Sequence, residues 1–426
     1  MTHLTHTEVT PINPLLSRGM ILILILLCML QIGKHLIWLP ITTVGVDYEK
    51  HQKAARCVLK GINPTLGEHN ELYLSFNYPV FTALPYLWLA PFDVMTGEAL
   101  WDIVLVLQVL GCAAMVAFFY TPELPSERKS DNTLARLRFF IVDRWMLIGT
   151  FLIVFYTPIM LRFHAGNISP TMLFLMVAFG AAFFNKRERL AGALLACAAL
   201  VKILPAFLLI VFIVAKRWKV LAGFGAVCGV YLILLLLTGW WRWDMFLFTD
   251  VLPNAAYKWY GVSRSFQVFI AGLVYPSALD TPVTFKQLTL IVNLGFFVPI
   301  SIIVLIVCRS VLREWLPMGI AFISPVLPLL TPLLEYHHHC WAIVGYLAVV
   351  RLWVSGRIHW IFYLQIPFLF MMHEAGYLLD INFRVYGLDG YILAMLSELA
   401  LWIINAAALL WLRFGKKQKD VGGNFL

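Results

Sequence analysis

The sequence predicts an all-α polytopic membrane fold of about twelve transmembrane helices, some broken or re-entrant. Three observations carry that expectation. Apolar residues make up 61% of the chain and charged residues only 13%, against roughly 25% charged in a soluble domain, and mean hydropathy is +0.82. No polar block is long enough to form a separate soluble domain. The net charge of +9 is spread over short basic clusters between apolar runs, which is the positive-inside pattern rather than a nucleic-acid surface.

The basic clusters fix the expected order of elements. They run Arg128 to Arg144, Lys186-Arg187-Glu188-Arg189, Lys216-Arg217-Trp218-Lys219, Arg309 to Arg313, Arg351 to Arg357, and Arg413 to Lys419. With all six on the cytoplasmic side, each apolar stretch between them must cross out and back. Residues 1–18 are then a cytoplasmic tail, and the first apolar segment, which lacks a small-x-small cleavage site, is a retained anchor. A single membrane domain is expected over 19–412, with an outer loop at 43–98, a cytoplasmic loop at 121–144 and a cytoplasmic basic tail at 413–426. Segment 78–95, with Pro79, Pro85 and Pro91, reads as re-entrant or interfacial on the outer side. The stretch 145–184 turns on the outer side at Arg162-Phe163-His164-Ala165-Gly166-Asn167.

Residues 190–215 give the sharpest topological expectation. About 26 residues between two basic ends are too few for two full spans at roughly 1.5 Å per residue. Two short helices meeting at Lys202-Ile203-Leu204-Pro205 satisfy both ends, because proline is tolerated in a first helical turn. The outer side also receives 239–284, rich in Trp and Tyr, then Glu335-Tyr336-His337-His338-His339, and finally 373–388. No internal repeat is visible. The seven cysteines, Cys28, Cys57, Cys112, Cys197, Cys228, Cys308 and Cys340, are scattered and form neither a disulfide framework nor a thiolate metal site.

The polar residues with chemical potential therefore fall on one face. Asp47 opens a helix through Ala55, which puts Asp47 and His51 on one side at i, i+4 while Glu49 points elsewhere. Asp47 is either a helix N-cap or a catalytic carboxylate, and Asp47-x-Glu49 is a chance-level match to a divalent-ion pair. Lys202, in the middle of an apolar run, either snorkels to the interface or holds a phosphate as a point charge. Arg162 and Arg264 lie on outer turns and are candidates to assist it. Three consecutive histidines on a helix point about 100° apart, so His337, His338 and His339 cannot all face one cavity. With no second ligand cluster, substrate or phosphate contact is the better reading and no metal or cofactor is expected. His373-Glu374 is a weaker version of the same signal.

Taken in order, these stretches resemble glycosyltransferase family 87 of the GT-C superfamily, over roughly residues 20–350. The resemblance rests on Asp47 with Ala54-Ala55, on Gly61-Ile62-Asn63-Pro64 and on Tyr78-Pro79-Val80. Beyond those it rests on Gly166-Asn167, Ala191-Gly192, Lys202-Ile203-Leu204-Pro205, Thr331-Pro332 and His337-His338. Asn167 replaces a Gln, Glu335 a Trp, Arg264 a Gln and Val80 a second Pro; these departures bear on the sugar and acceptor more than on the reaction class. The resemblance implies a multi-pass plasma (inner) membrane enzyme whose site faces the periplasm or cell exterior. Such an enzyme moves mannose or another hexose from a polyprenyl-phosphate donor to a hydroxyl of a lipid-linked or glycan acceptor, with inversion. It implies Asp47 as general base and Lys202 with His337 or His338 at the donor phosphate, with Arg162 and Arg264 added from topology. Candidate substrate contacts are Tyr48, His51, Tyr78, Asn167 and Ser265. The expected partners are the sugar donor, the acceptor and membrane lipids, with no nucleic acid. Competing readings are a polyprenyl-phosphate-arabinose-dependent transferase, a secondary transporter, for which repeat symmetry is missing, and a non-catalytic scaffold, which leaves Lys202 without a reason.

Overall fold

A computed structural model describes residues 46–66, 76–119, 168–252, 266–274, 282–331, 340–354 and 390–421, with the single positions Ile361, Leu364, Gln365 and Phe368. All regular structure among these residues is helical. Four helices among the described residues are long and apolar enough to cross a membrane: Val94–Val116, Trp218–Thr238, Gln287–Val307 and Met395–Phe414. Shorter apolar helices accompany them at Val80–Leu89, Ser169–Phe184, Leu204–Val214, Leu316–Leu329 and Cys340–Leu352. A helical membrane protein is what these residues build, while the expected twelve spans depend partly on segments outside the described residues.

Helix α1 (Val46–Leu59) is polar and amphipathic. Tyr48, His51, Gln52, Ala54, Ala55 and Val58 are buried, whereas Glu49 and Lys53 pair at 2.9 Å on the open face. Its buried face lies against a 3-10 helix, Val80–Leu89, within the Pro-rich segment expected to be re-entrant or interfacial. Ten residues is long for 3-10 geometry, and side chains from other elements hold both ends. At the C-terminal end, Gln52 Nε2 donates to Leu89 O (2.9 Å) and Phe92 O (3.0 Å). Arg56 Nε donates to Ala90 O at 2.9 Å and its Nη2 to Phe92 O at 2.6 Å. These bonds satisfy carbonyls that a helix end leaves without partners.

Helix α2 (Val94–Phe119) follows, and Gly97 gives α1 close access to it. A Cβ there would lie 2.2 Å from Tyr48 Oη and 2.8 Å from Gln52 Nε2.

The 190–215 stretch is broken where its length demands. Helix α3 (Ser169–Phe184) leads to α4 (Glu188–Val201), and the backbone then turns extended at Lys202 (φ −146°, ψ 126°). Pro205 sits in the first turn of a short 3-10 helix, Leu204–Leu208, and α5 (Leu209–Val214) completes the return. The two ends meet, with Arg217 Nη1 bonded to Glu188 Oε1 at 3.1 Å. The Val201 carbonyl freed by the break accepts from Thr82 Oγ1 at 3.4 Å, so this backbone group is satisfied within the protein.

Helix α6 (Trp218–Thr238) packs along α4 through two glycines. A Cβ at Gly192 would lie 1.9 Å from Val220 O, and one at Gly223 would lie 2.0 Å from Arg189 O. Small residues bring two backbones into contact where no hydrophobic force separates protein from lipid. Polar side chains join the later helices. Gln267 Nε2 donates to Asn293 Oδ1 (2.6 Å) and Leu329 O (2.9 Å). Tyr346 Oη donates to the buried Glu398 (2.7 Å), and Asn405 Nδ2 to Ala321 O (2.9 Å).

Candidate functional site

Asp47 falls in the first turn of α1, one residue after the helix begins, where a negative charge suits the helix dipole. It is partly exposed and lies 3.8 Å from Lys50. The expected i, i+4 partnership holds in space, because His51 faces inward one turn later and is fully buried. Glu49, engaged by Lys53, is turned away from both.

His51 occupies an aromatic box. Its ring stacks on Tyr86 at 4.7 Å, meets Tyr78 at 5.1 Å, and meets Phe76 edge-on at 5.6 Å. Neither ring nitrogen has a hydrogen-bond partner among the described residues. Burial drives its pKa from 6.5 down to about 3; Asp47 opposes the shift, while Lys50 and Lys202 reinforce it. The imidazole is therefore neutral at physiological pH.

Lys202 reaches the same box from the break after α4. Its Nζ lies 5.5 Å from the Tyr78 ring centre and 5.3 Å from that of Trp341. Two aromatic faces hold the ammonium by its attraction to their π-electrons. The side chain is only partly buried. Tyr78 is thus shared by His51 and Lys202.

Tyr48 behaves differently from its neighbours on α1. Its ring is buried against Tyr86 and its hydroxyl points to α2. Burial and then the Glu98 carboxylate hold that phenol well above its ordinary range. The structure brings together Asp47, His51, Tyr78 and Lys202, and directs Tyr48 into the core. Arg162, Arg264, His337, His338, Asn167 and Ser265 lie outside the described residues.

Two residues of the site escape the sequence reading. Trp341 follows the histidine run by two positions, yet nothing local ties it to Lys202. Asp244 lies in the Trp-rich 239–284 segment, on the short helix α7 (Trp241–Phe246), and is buried. Its Oδ1 accepts from Val80 N (2.9 Å) and its Oδ2 from Tyr231 Oη (2.7 Å). Phe81 N donates in turn to Tyr231 Oη at 3.0 Å. Burial raises the Asp244 pKa, opposed by the Val80 N–H and the Tyr231 hydroxyl. This pair anchors the start of the 3-10 helix, two residues after Tyr78. A carboxylate directly after Trp240, Trp241 and Trp243 was the available signal.

A family model described as glycosyltransferase family 87 matches residues 76–332. That run includes Tyr78, Lys202 and Asp244, and stops short of Asp47, His51 and Trp341. No curated protein and no solved structure matches the chain. With more than half of its 426 residues matched by the one model, and helices of membrane length around the site, this membrane protein belongs to glycosyltransferase family 87.

Proposed function

We propose that this glycosyltransferase moves a hexose, such as mannose, from a polyprenyl-phosphate donor to a hydroxyl of a glycolipid or glycan on the outer side of the membrane. The carrying observation is that Lys202, at a helix break, shares Tyr78 with His51, one helical turn from Asp47. A carboxylate and a cation near one aromatic cluster match the two charge demands of the reaction. Asp47 takes the proton as the acceptor oxygen bonds to the anomeric carbon from the face opposite the phosphate. The bond from that carbon to the phosphate oxygen breaks, its electron pair leaves with the lipid phosphate, and the anomeric configuration inverts. Lys202 lies where it can balance the growing negative charge.

His51 is a positioning group in this scheme, because its neutral ring packs Tyr78 in place. The family supports sugar transfer; the lipid-phosphate donor, the outer sidedness and the roles of Asp47 and Lys202 belong to this proposal. His337, His338, Arg162 and Arg264 are retained as further candidate phosphate contacts, and Asn167 and Ser265 as candidate sugar or acceptor contacts.

The test is transfer of radiolabelled mannose from polyprenyl-phosphate mannose by the purified full-length protein in liposomes. Asp47→Asn is expected to lower kcat by about 10²–10⁴-fold with an unchanged melting temperature. Lys202→Gln is expected to lower kcat by about 10²-fold, an effect comparable to loss of one transition-state donor. Full transfer by Asp47→Asn removes the assigned base. Transfer by the wild type from a nucleotide sugar, and not from the lipid phosphate, removes the assigned donor.

A further inference from the structure

Two turns of this chain are built alike. Asn185-Lys186-Arg187 joins α3 to α4, and Ala215-Lys216-Arg217 joins α5 to α6. In each, the lysine takes a left-handed backbone, with φ 63° at Lys186 and 57° at Lys216. The arginines that follow have nearly equal angles, φ −86° and ψ 58° for Arg187, φ −88° and ψ 67° for Arg217. The closing bonds also repeat. Lys186 N donates to Phe183 O and Arg187 N to Ala182 O, at 3.0 and 2.9 Å; Lys216 N donates to Ile213 O and Arg217 N to Phe212 O, at 3.1 and 2.8 Å. This is the Schellman helix stop, whose left-handed position glycine fills without strain. Lysine in both turns carries a backbone cost that glycine would not.

The first turn opens into a cleft of about 430 Å³ lined by Lys186, Arg187, Glu188, Arg189, Leu190 and Lys219. The carboxylate of Glu188 is held by Arg217 at 3.1 Å, so the four lining cations dominate the field. The cleft lies at the start of α6, a helix of membrane length, which sets it at headgroup depth. Leu190 is 46% exposed beside it, and Trp218 64% exposed. An apolar rim next to clustered cations fits an amphiphile better than a soluble anion.

We infer that this cleft binds the phosphate of an anionic membrane lipid, with Lys186 and its neighbours on the headgroup and Leu190 and Trp218 against its glycerol and chains. The cleft lies about 20 Å along α4 from Lys202 and does not depend on the reaction proposed above.

The duplicated turn supplies its own control. Lys216 has the same strain as Lys186 but does not line the cleft. Thermal unfolding of the full-length protein is measured in detergent, alone and with phosphatidylglycerol, phosphatidylcholine or inorganic phosphate. Binding to the folded state raises the melting temperature, so phosphatidylglycerol is expected to raise it and the other two are not. Lys186→Gly and Lys216→Gly are each expected to raise the lipid-free value by about 1–3 °C through relief of strain. Only Lys186→Gly is then expected to lose half or more of the phosphatidylglycerol increment, and Lys186→Gly with Arg189→Gln and Lys219→Gln to lose nearly all of it. An increment kept in full by that triple variant overturns the site. So does equal loss in Lys216→Gly, which would mean diffuse attraction. An equal shift from inorganic phosphate overturns the lipid assignment.

Discussion

His51 is fully buried in an aromatic box, and its titration follows from that. Below about 6.5 the unfolded chain takes up a proton that the folded ring refuses until about 3. The contribution of His51 to stability is therefore present above 6.5 and lost progressively as pH falls towards 3. At about pH 4.5 the loss is on the order of 2–3 kcal/mol. His51→Phe keeps an aromatic ring in the box and removes the proton site, so its melting temperature is expected to fall less steeply with acid than the wild type's. Equal slopes in melting curves across pH 7 to about 4 would rule out this account of His51. Asp244 is the other residue with a definite expectation. Asp244→Ala leaves the Val80 N–H and Tyr231 hydroxyl without their acceptor, at roughly 1–3 kcal/mol for each buried group. Because the anchored turn begins two residues after Tyr78, sugar transfer is expected to fall with it. Tyr231→Phe is expected to cost less, since Asp244 still receives Val80. The placing of Asp47 and His51 on one side of α1 was legible from i, i+4 spacing, because a helix repeats every 3.6 residues. Asp244 was not legible, because its partner Val80 is 164 residues away in sequence.

Among elements, the α4–α6 contact is the most tightly specified. Neither Gly192 nor Gly223 has room for a methyl, and the obstructing atoms are backbone, which cannot rotate aside. Gly192→Ala or Gly223→Ala is expected to destabilise by about 1–3 kcal/mol and to lower sugar transfer by shifting the break at Lys202. Gly229→Ala on the same helix meets nothing within 4 Å and is expected to be neutral or slightly stabilising, since alanine favours a helix. Thermal melts of the three variants separate crowding from helix propensity. The broken helix was legible because chain length between basic ends is a hard constraint. The 3-10 form of Val80–Leu89 was only half legible. Its prolines pointed to a re-entrant or interfacial piece, but the side chains that hold its ends come from α1, α6 and α7.

At the scale of the whole molecule, the Glu188–Arg217 contact returns the chain to its starting level after the break. Cysteines placed at Lys186 and Lys216, in a background without the seven native ones, are expected to react with an impermeant thiol reagent from the same side of a sealed vesicle. A cysteine at Trp241, beyond the far end of α6, is expected to react from the other. Labelling of positions 186 and 216 from opposite sides would remove the broken pair. Composition by itself determined that this is a helical membrane protein, and the basic ends of 190–215 indicated that this stretch turns back, because both are sums over local sequence. Motif order pointed to the family on the same basis. Only the tertiary structure decided that Tyr78 is shared by His51 and Lys202, that Trp341 closes over the lysine, and that Asp244 anchors the segment between them. Those contacts join residues far apart in the chain, and their selection depends on which helix faces pack, a property that no single segment contains.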